Sequence, residues 1–263
     1  MIYVIKIGGE ISENETLCES FLDQFAALDG MKILVHGGGK TATTLAGKLG
    51  IKTTMIDGRR VTDEDSLRVA VMVYAGWIGK TLAARLQSKN CNAISLCGAD
   101  GNLLHTEKRN PKPVDFGFVG DAGADGVNTK LLMSLLQQQL VPVVSAITHN
   151  GNAQLLNTNA DTVAACIAAA LSKQHETTLL FGFTKPGVLE DPNNDATVVS
   201  VLTPESAKEM QVKKKLHSGI LPKLNAAFYA ATEGVSRVYI GHAASLGEIL
   251  IHKAAATEIT SGK

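Results

Sequence analysis

The sequence predicts an α/β fold, a three-layer α/β/α sandwich in two lobes around a mostly parallel central sheet. Short aliphatic, β-branched runs recur at 2–7, 32–36, 93–96, 141–146, 177–181 and 237–240. Longer stretches with apolar residues at helical spacing separate them, at 13–29, 41–49, 63–89, 128–138, 160–171, 204–214, 222–233 and 245–252. The short runs are mostly apolar, as strands covered by helices on both faces require.

The first strand ends in Lys6-Ile7-Gly8-Gly9, a cation and a glycine pair at the edge where open α/β sheets bind ligands. The second runs through His36 into Gly37-Gly38-Gly39 and then a helix. Glycines without Cβ let successive backbone N–H groups close on an anion, and the helix start adds unpaired donors. Both loops face one crevice. Gly39-Lys40-Thr41 imitates the end of a Walker loop, but Leu34 holds the place of its earlier glycine, and Gly79-Lys80-Thr81 fails likewise at Tyr74. No Gly-x-Gly-x-x-Gly triplet follows a strand with an acidic partner beyond it, which disfavours a nicotinamide enzyme.

The stretches 51–61 and 110–119 carry turn residues and read as β-hairpins suited to a lid, and Asn150-Gly151 marks a third within 149–156. Asp57-Gly58-Arg59-Arg60-Val61-Thr62-Asp63 leads from the first hairpin into the long helix, which Thr62 or Asp63 caps. Its arginines either clamp a substrate carboxylate or lie on a surface turn. Gly50 and Gly234 close the helices before them. Asn157-Thr158-Asn159-Ala160-Asp161 precedes the most apolar helix; capping uses one of these polar residues and leaves Asp161 to hold cationic side chains. Pro222 stands in the first turn of a late helix with Lys223 beside it. A lysine at the positive end of a helix is misplaced unless it awaits a phosphate. Lys213-Lys214-Lys215 and His217 are either part of that basic site or a solvated charge run. A hinge near 171–176 divides an amino-terminal lobe, 1–172, from a carboxyl-terminal lobe, 173–263.

The 263 residues carry 25 Lys+Arg against 25 Asp+Glu, with no basic excess for nucleic acid. Cys18, Cys91, Cys97 and Cys166 form no Cys-x-x-Cys pair and read as reduced thiols of a cytoplasmic protein. No export signal is present, the apolar run 163–171 is too short to cross a bilayer, and the histidines lack metal-ligand spacing. Neither a membrane partner nor a structural metal is expected.

In this order the motifs resemble the amino acid kinase family, and specifically its N-acetylglutamate kinases of arginine biosynthesis. The matching residues are Lys6-Ile7-Gly8-Gly9, Val35-His36-Gly37-Gly38-Gly39, Gly58-Arg59-Arg60-Val61-Thr62-Asp63, Val119-Gly120-Asp121 with Val127-Asn128, Asn157 to Asp161, Pro186-Gly187-Val188-Leu189, and Gly219-Ile220-Leu221-Pro222-Lys223. The resemblance implies that Lys6 and Lys223 neutralise the phosphoryl group in flight while Asp161 orients both. It implies that Gly38, Gly39, Arg60 and Asn157 hold N-acetyl-L-glutamate, or another N-acyl-glutamate such as the N-succinyl form. Gly8, Gly9, Thr184, Lys185 and Gly187 would meet the phosphates of ATP, which carries Mg²⁺ with it. A γ-carboxylate with a pKa of about 4.3 is already ionised at neutral pH, so no general base is needed. Phe183-Thr184-Lys185 stands where the family has Thr-Asp-Val, Ala256-Thr257 stands for its Gly-Thr, and the middle of the 120–128 loop is altered. Because the chain begins at its first strand, the resemblance implies a homodimer insensitive to arginine. Val69, Met72, Val73, Trp77 and Ile78 form either its contact surface or a core face. Another carboxylate or carbamate kinase of the family, or a non-catalytic ligand sensor on the same fold, is the competing reading.

Overall fold

The computed structural model describes every residue except Asp57, Gly58, His217 and Lys263, so the readings on those positions lie outside the described residues. In chain order the strands are β1 (Ile2–Ile7), β2 (Met31–His36), β3 (Thr54–Ile56), β4 (Arg59–Val61), β5 (Ala93–Leu96), β6 (Glu107–Lys108) and β7 (Gly120–Asp121). They continue with β8 (Val141–Ser145), β9 (Ile147–His149), β10 (Leu155–Asn157), β11 (Thr177–Phe183), β12 (Val201–Leu202), β13 (Arg237–His242) and β14 (Ala256–Ile259). Eight of them form one sheet in the order β12-β14-β13-β11-β1-β2-β8-β5, parallel except for the antiparallel β13–β14 pair.

The helices are α1 (Gly9–Ser12), α2 (Glu15–Ala27), α3 (Gly39–Lys48), α4 (Glu64–Val71), α5 (Gly79–Gln87), α6 (Thr129–Gln137), α7 (Ala160–Ser172), α8 (Pro204–Val212), α9 (Leu221–Thr232) and α10 (Leu246–Leu250). β1 is flanked by β2 and β11, and α7, buried from Val163 to Leu171, packs on β1 and β11. Side-chain caps set the starts: Asp63 accepts from Ser66 N at 2.8 Å and Asn159 from Asp161 N at 2.7 Å. Gly50 and Gly234 adopt φ of 72° and 93°, the left-handed conformation that ends a helix.

Four features differ from the expectation. The 13–29 helix forms as α2 from Glu15, capped by Asn14, but the short α1 before it was not anticipated. The segment 110–119 does not pair with itself as a hairpin, because Pro111 and Pro113 lack the N–H groups a ladder needs; β6 pairs with β7 at its base, and Gly117 and Val119 bridge instead to Thr62 and Asn157. The strands β12, at the sheet edge, and β14 beside it were missed, the first being two residues long. The 63–89 helix is α-helical only at its ends, and Met72–Ile78 forms a π-helix in which Gly79 N donates to Tyr74 O, five residues back.

That wider turn shifts the phase of the apolar stripe. Val69, Val73 and Ile78 are core, whereas Met72 is 51% and Trp77 70% exposed. The run Glu64–Gln87 also reaches, by length and composition, the apolarity of a membrane-crossing helix, with 44% of its apolar window buried in the fold.

Candidate active site

Asp161 lies in the first turn of α7, where that helix points at the carboxyl end of β1. Lys6 reaches it from the strand: Nζ is 2.6 Å from Oδ1, with the residues only 5% and 4% exposed. Lys223, in the first turn of α9, places Nζ 3.6 Å from Oδ2 and 5.1 Å from the centre of the Phe183 ring. Burial by itself would raise the Asp161 pKa, but the two ammonium groups more than offset it and hold the carboxyl below its ordinary range. Burial is also the largest influence on Lys6 and pulls it below the usual lysine range, against the opposing pull of Asp161.

A crevice of about 640 Å³ opens over this cluster. It gathers Lys6, Gly8, Gly9, Gly38, Gly39, Arg60, Asn157, Asp161 and Lys223, nine of the residues the sequence singled out. The close approach of Gly38 is obligatory, since a Cβ there would run into Ile78 Cδ1 and come within 2.8 Å of Tyr74 Cδ1. At the start of α3, Thr41 donates from both N and Oγ1 to Glu13 Oε1, at 2.9 and 2.6 Å. Arg60 ties the β3–β4 hairpin to this loop, donating from Nη2 to Gly39 O at 2.8 Å and Thr43 Oγ1 at 2.7 Å, and from Nη1 to Thr53 Oγ1 at 3.2 Å. Asn157 Nδ2 donates to Thr62 Oγ1 at 3.1 Å. Below the glycines, His36 donates from Nδ1 to Gly37 O at 2.9 Å, and burial lowers its pKa to about 4.

The remaining three sequence candidates sit elsewhere. Lys185 and Gly187 line a separate hollow of about 110 Å³ with Phe183, Val188, Leu189 and Ile220, and Lys185 Nζ is 2.8 Å from Asp195 Oδ1. A Cβ on Gly187 would stand 2.6 Å from Thr257 Oγ1, so this glycine serves packing. Thr184 lines neither cavity and donates to Glu10 Oε2 at 3.2 Å. Arg59, one of the two arginines offered as a carboxylate clamp, also lines the main crevice, whereas sequence reasoning missed Tyr74 and Arg109 there. Tyr74 had entered only as the residue that spoils a Walker spacing.

Residues 1–242 match the amino acid kinase family. The chain belongs to that family. Among amino acid kinase relatives, it is 46% identical to the acetylglutamate kinase of Phocaeicola vulgatus, covering 93% of this chain and 95% of that one. The acetylglutamate kinases of Cytophaga hutchinsonii and Methanopyrus kandleri are 45% and 37% identical, covering 95% and 90% of this chain and 94% and 93% of theirs. The family fold is matched by N-acetylglutamate synthase from Neisseria gonorrhoeae complexed with coenzyme A and N-acetyl-glutamate. That likeness has a TM-score of 0.81 at 23% identity, over 99% of this chain and 59% of the other. Carbamate kinase from Giardia lamblia bound to AMP-PNP follows at 0.69 and 12%, over 99% and 98%.

Proposed function

We propose that this protein transfers the γ-phosphoryl group of ATP to the side-chain carboxylate of N-acetyl-L-glutamate, a step of arginine biosynthesis. The observation that carries the reading is the Lys6–Asp161–Lys223 cluster facing glycine loops, in a chain whose close relatives are acetylglutamate kinases.

Phosphoryl transfer asks for in-line positioning and charge neutralisation more than for proton transfer. Lys6 and Lys223 converge on one point from opposite sides, so both ammonium groups face the oxygens of the phosphoryl group between donor and acceptor. Asp161 keeps the two cations close without being consumed. Gly8, Gly9, Gly38 and Gly39 offer amides around the same point, while Arg60 and Asn157 hold the acylated amino acid. In this reading 1–172 is the substrate lobe and 173–263 the nucleotide lobe, whose hollow beside Phe183, Lys185 and Gly187 receives part of ATP. Mg²⁺ comes with the phosphates and offsets their charge; among the described residues no three His, Cys, Asp or Glu are grouped to hold it alone. The protein acts in the cytoplasm as a homodimer, with a second copy covering Met72 and Trp77.

The test is ADP release with N-acetyl- and N-succinyl-glutamate, with the acyl phosphate trapped as hydroxamate. Turnover with the acetyl compound supports the reading, and preference for the succinyl compound would reassign the acyl group. Binding without turnover would sink it in favour of a ligand sensor.

A further inference from the structure

Tyr74 comes from the π-helix and is 5% exposed, yet it lines the main crevice. Its ring packs against the Gly38 backbone, and its hydroxyl lies 3.8 Å from where a Cβ on Gly39 would stand. The neighbouring cation is Arg60, whose charge works against the burial that raises the Tyr74 pKa. The same guanidinium also hydrogen-bonds the hydroxyl, which keeps its own O–H to donate. A phenylalanine or leucine would fill the same space but bring no donor to the crevice.

The groups around the hydroxyl are donors. Three N–H groups of Arg60 are spent on Thr53, Gly39 and Thr43, which leaves Nε–H and one Nη1–H to serve the Tyr74 hydroxyl and the crevice. Those two, the Tyr74 O–H and the loop amides converge on one part of the crevice, and a ligand group that satisfies donors alone is an anion. The π-turn is what aims the side chain there: Gly79 N reaches back five residues to the Tyr74 carbonyl. Gly79 itself can press so close only because it lacks a Cβ, which would stand 2.6 Å from Ser95 Oγ and 3.3 Å from His36 Nε2.

We propose that Tyr74 is a substrate-binding residue whose hydroxyl donates to the carboxylate that Arg60 clamps, making it a specificity determinant for the N-acylated amino acid. This rests on the functional reading above.

The experiment is Tyr74→Phe, which keeps the ring. N-acetyl-L-glutamate is titrated calorimetrically into each protein without nucleotide, alongside steady-state kinetics and thermal melting. The expected result is a roughly tenfold rise in Kd and in KM for N-acetyl-L-glutamate, with kcat, KM for ATP and Tm unchanged. Wild-type affinity in Tyr74→Phe overturns the assignment while leaving the functional reading intact. A loss spread equally over both KM values and Tm also overturns it, since that is the signature of a packing role. If the unaltered protein neither binds N-acetyl-L-glutamate nor releases ADP with it, the functional reading falls and the assignment with it.

Discussion

The two sides of the crevice are built differently. On the amino-terminal side Lys6, His36 and Asp161 are buried, the glycine loop is pressed between β2 and the π-helix, and Glu13 already caps α3. On the carboxyl-terminal side Lys223 is partly open beside Phe183, and the ion pairs Lys185–Asp195 and Lys215–Glu190 stand in solvent. The first side is a preorganised socket whose polar groups are held by the core. The second is more open to solvent. A substitution on the first side therefore disturbs fold and chemistry together, and one on the second separates them.

Asp161→Asn gives the largest expected effect. It leaves Lys6 buried without a counter-charge, a loss on the order of 3–5 kcal/mol, and lowers kcat by roughly 10²-fold or more. Urea unfolding and ADP release measure the two losses, and a fully stable, fully active Asn variant would show that the socket is not held by this charge. Next, Lys223→Ala should lower kcat by roughly 10²-fold with little change in stability, because its side chain is not part of the core. Full turnover in that variant would remove Lys223 from the chemistry.

His36 gives the intermediate effect, through pH. Its folded pKa of about 4 lies below the unfolded value of about 6.5, so the unfolded chain binds the proton more readily. The stabilisation is complete above pH 6.5 and is lost as pH falls through the window down to about 4, amounting to roughly 3 kcal/mol. Replacing His36 by Gln should flatten that part of the stability profile in chemical denaturation. A profile as steep as that of the unaltered protein would show the histidine is not buried as described. The smallest effect is expected from Lys185→Ala, which breaks an exposed pair and should change stability by less than about 1 kcal/mol, read from the same denaturation curves. A larger loss would mean that the open side is more rigid than its solvent exposure indicates.

The contrast also bears on how far the chain could be read unaided. The Lys6, Asp161 and Lys223 cluster was legible because each residue violates a local preference: a lysine ends a core strand, a carboxylate enters an apolar helix, and a cation stands at a positive helix end. The glycine loops were legible because backbone approach demands residues without Cβ. Thr184, Lys185 and Gly187 were carried over by resemblance, and they fall outside the main crevice where the chain departs from the family pattern.

By itself, then, the sequence determined the alternation of strands and helices, the caps, the mostly parallel character of the sheet and the ligand-binding edge, since these follow from periodicity and local chemistry. Tertiary structure alone decided the π-turn, the outward faces of Met72 and Trp77, the loop in place of a hairpin at 110–119, and the entry of Tyr74 into the crevice. The reason is that a one-residue shift of helical phase leaves composition and spacing unchanged. It is set by what the helix packs against, here the close approach of Gly79 to Ser95 and His36, a contact between segments distant in the chain.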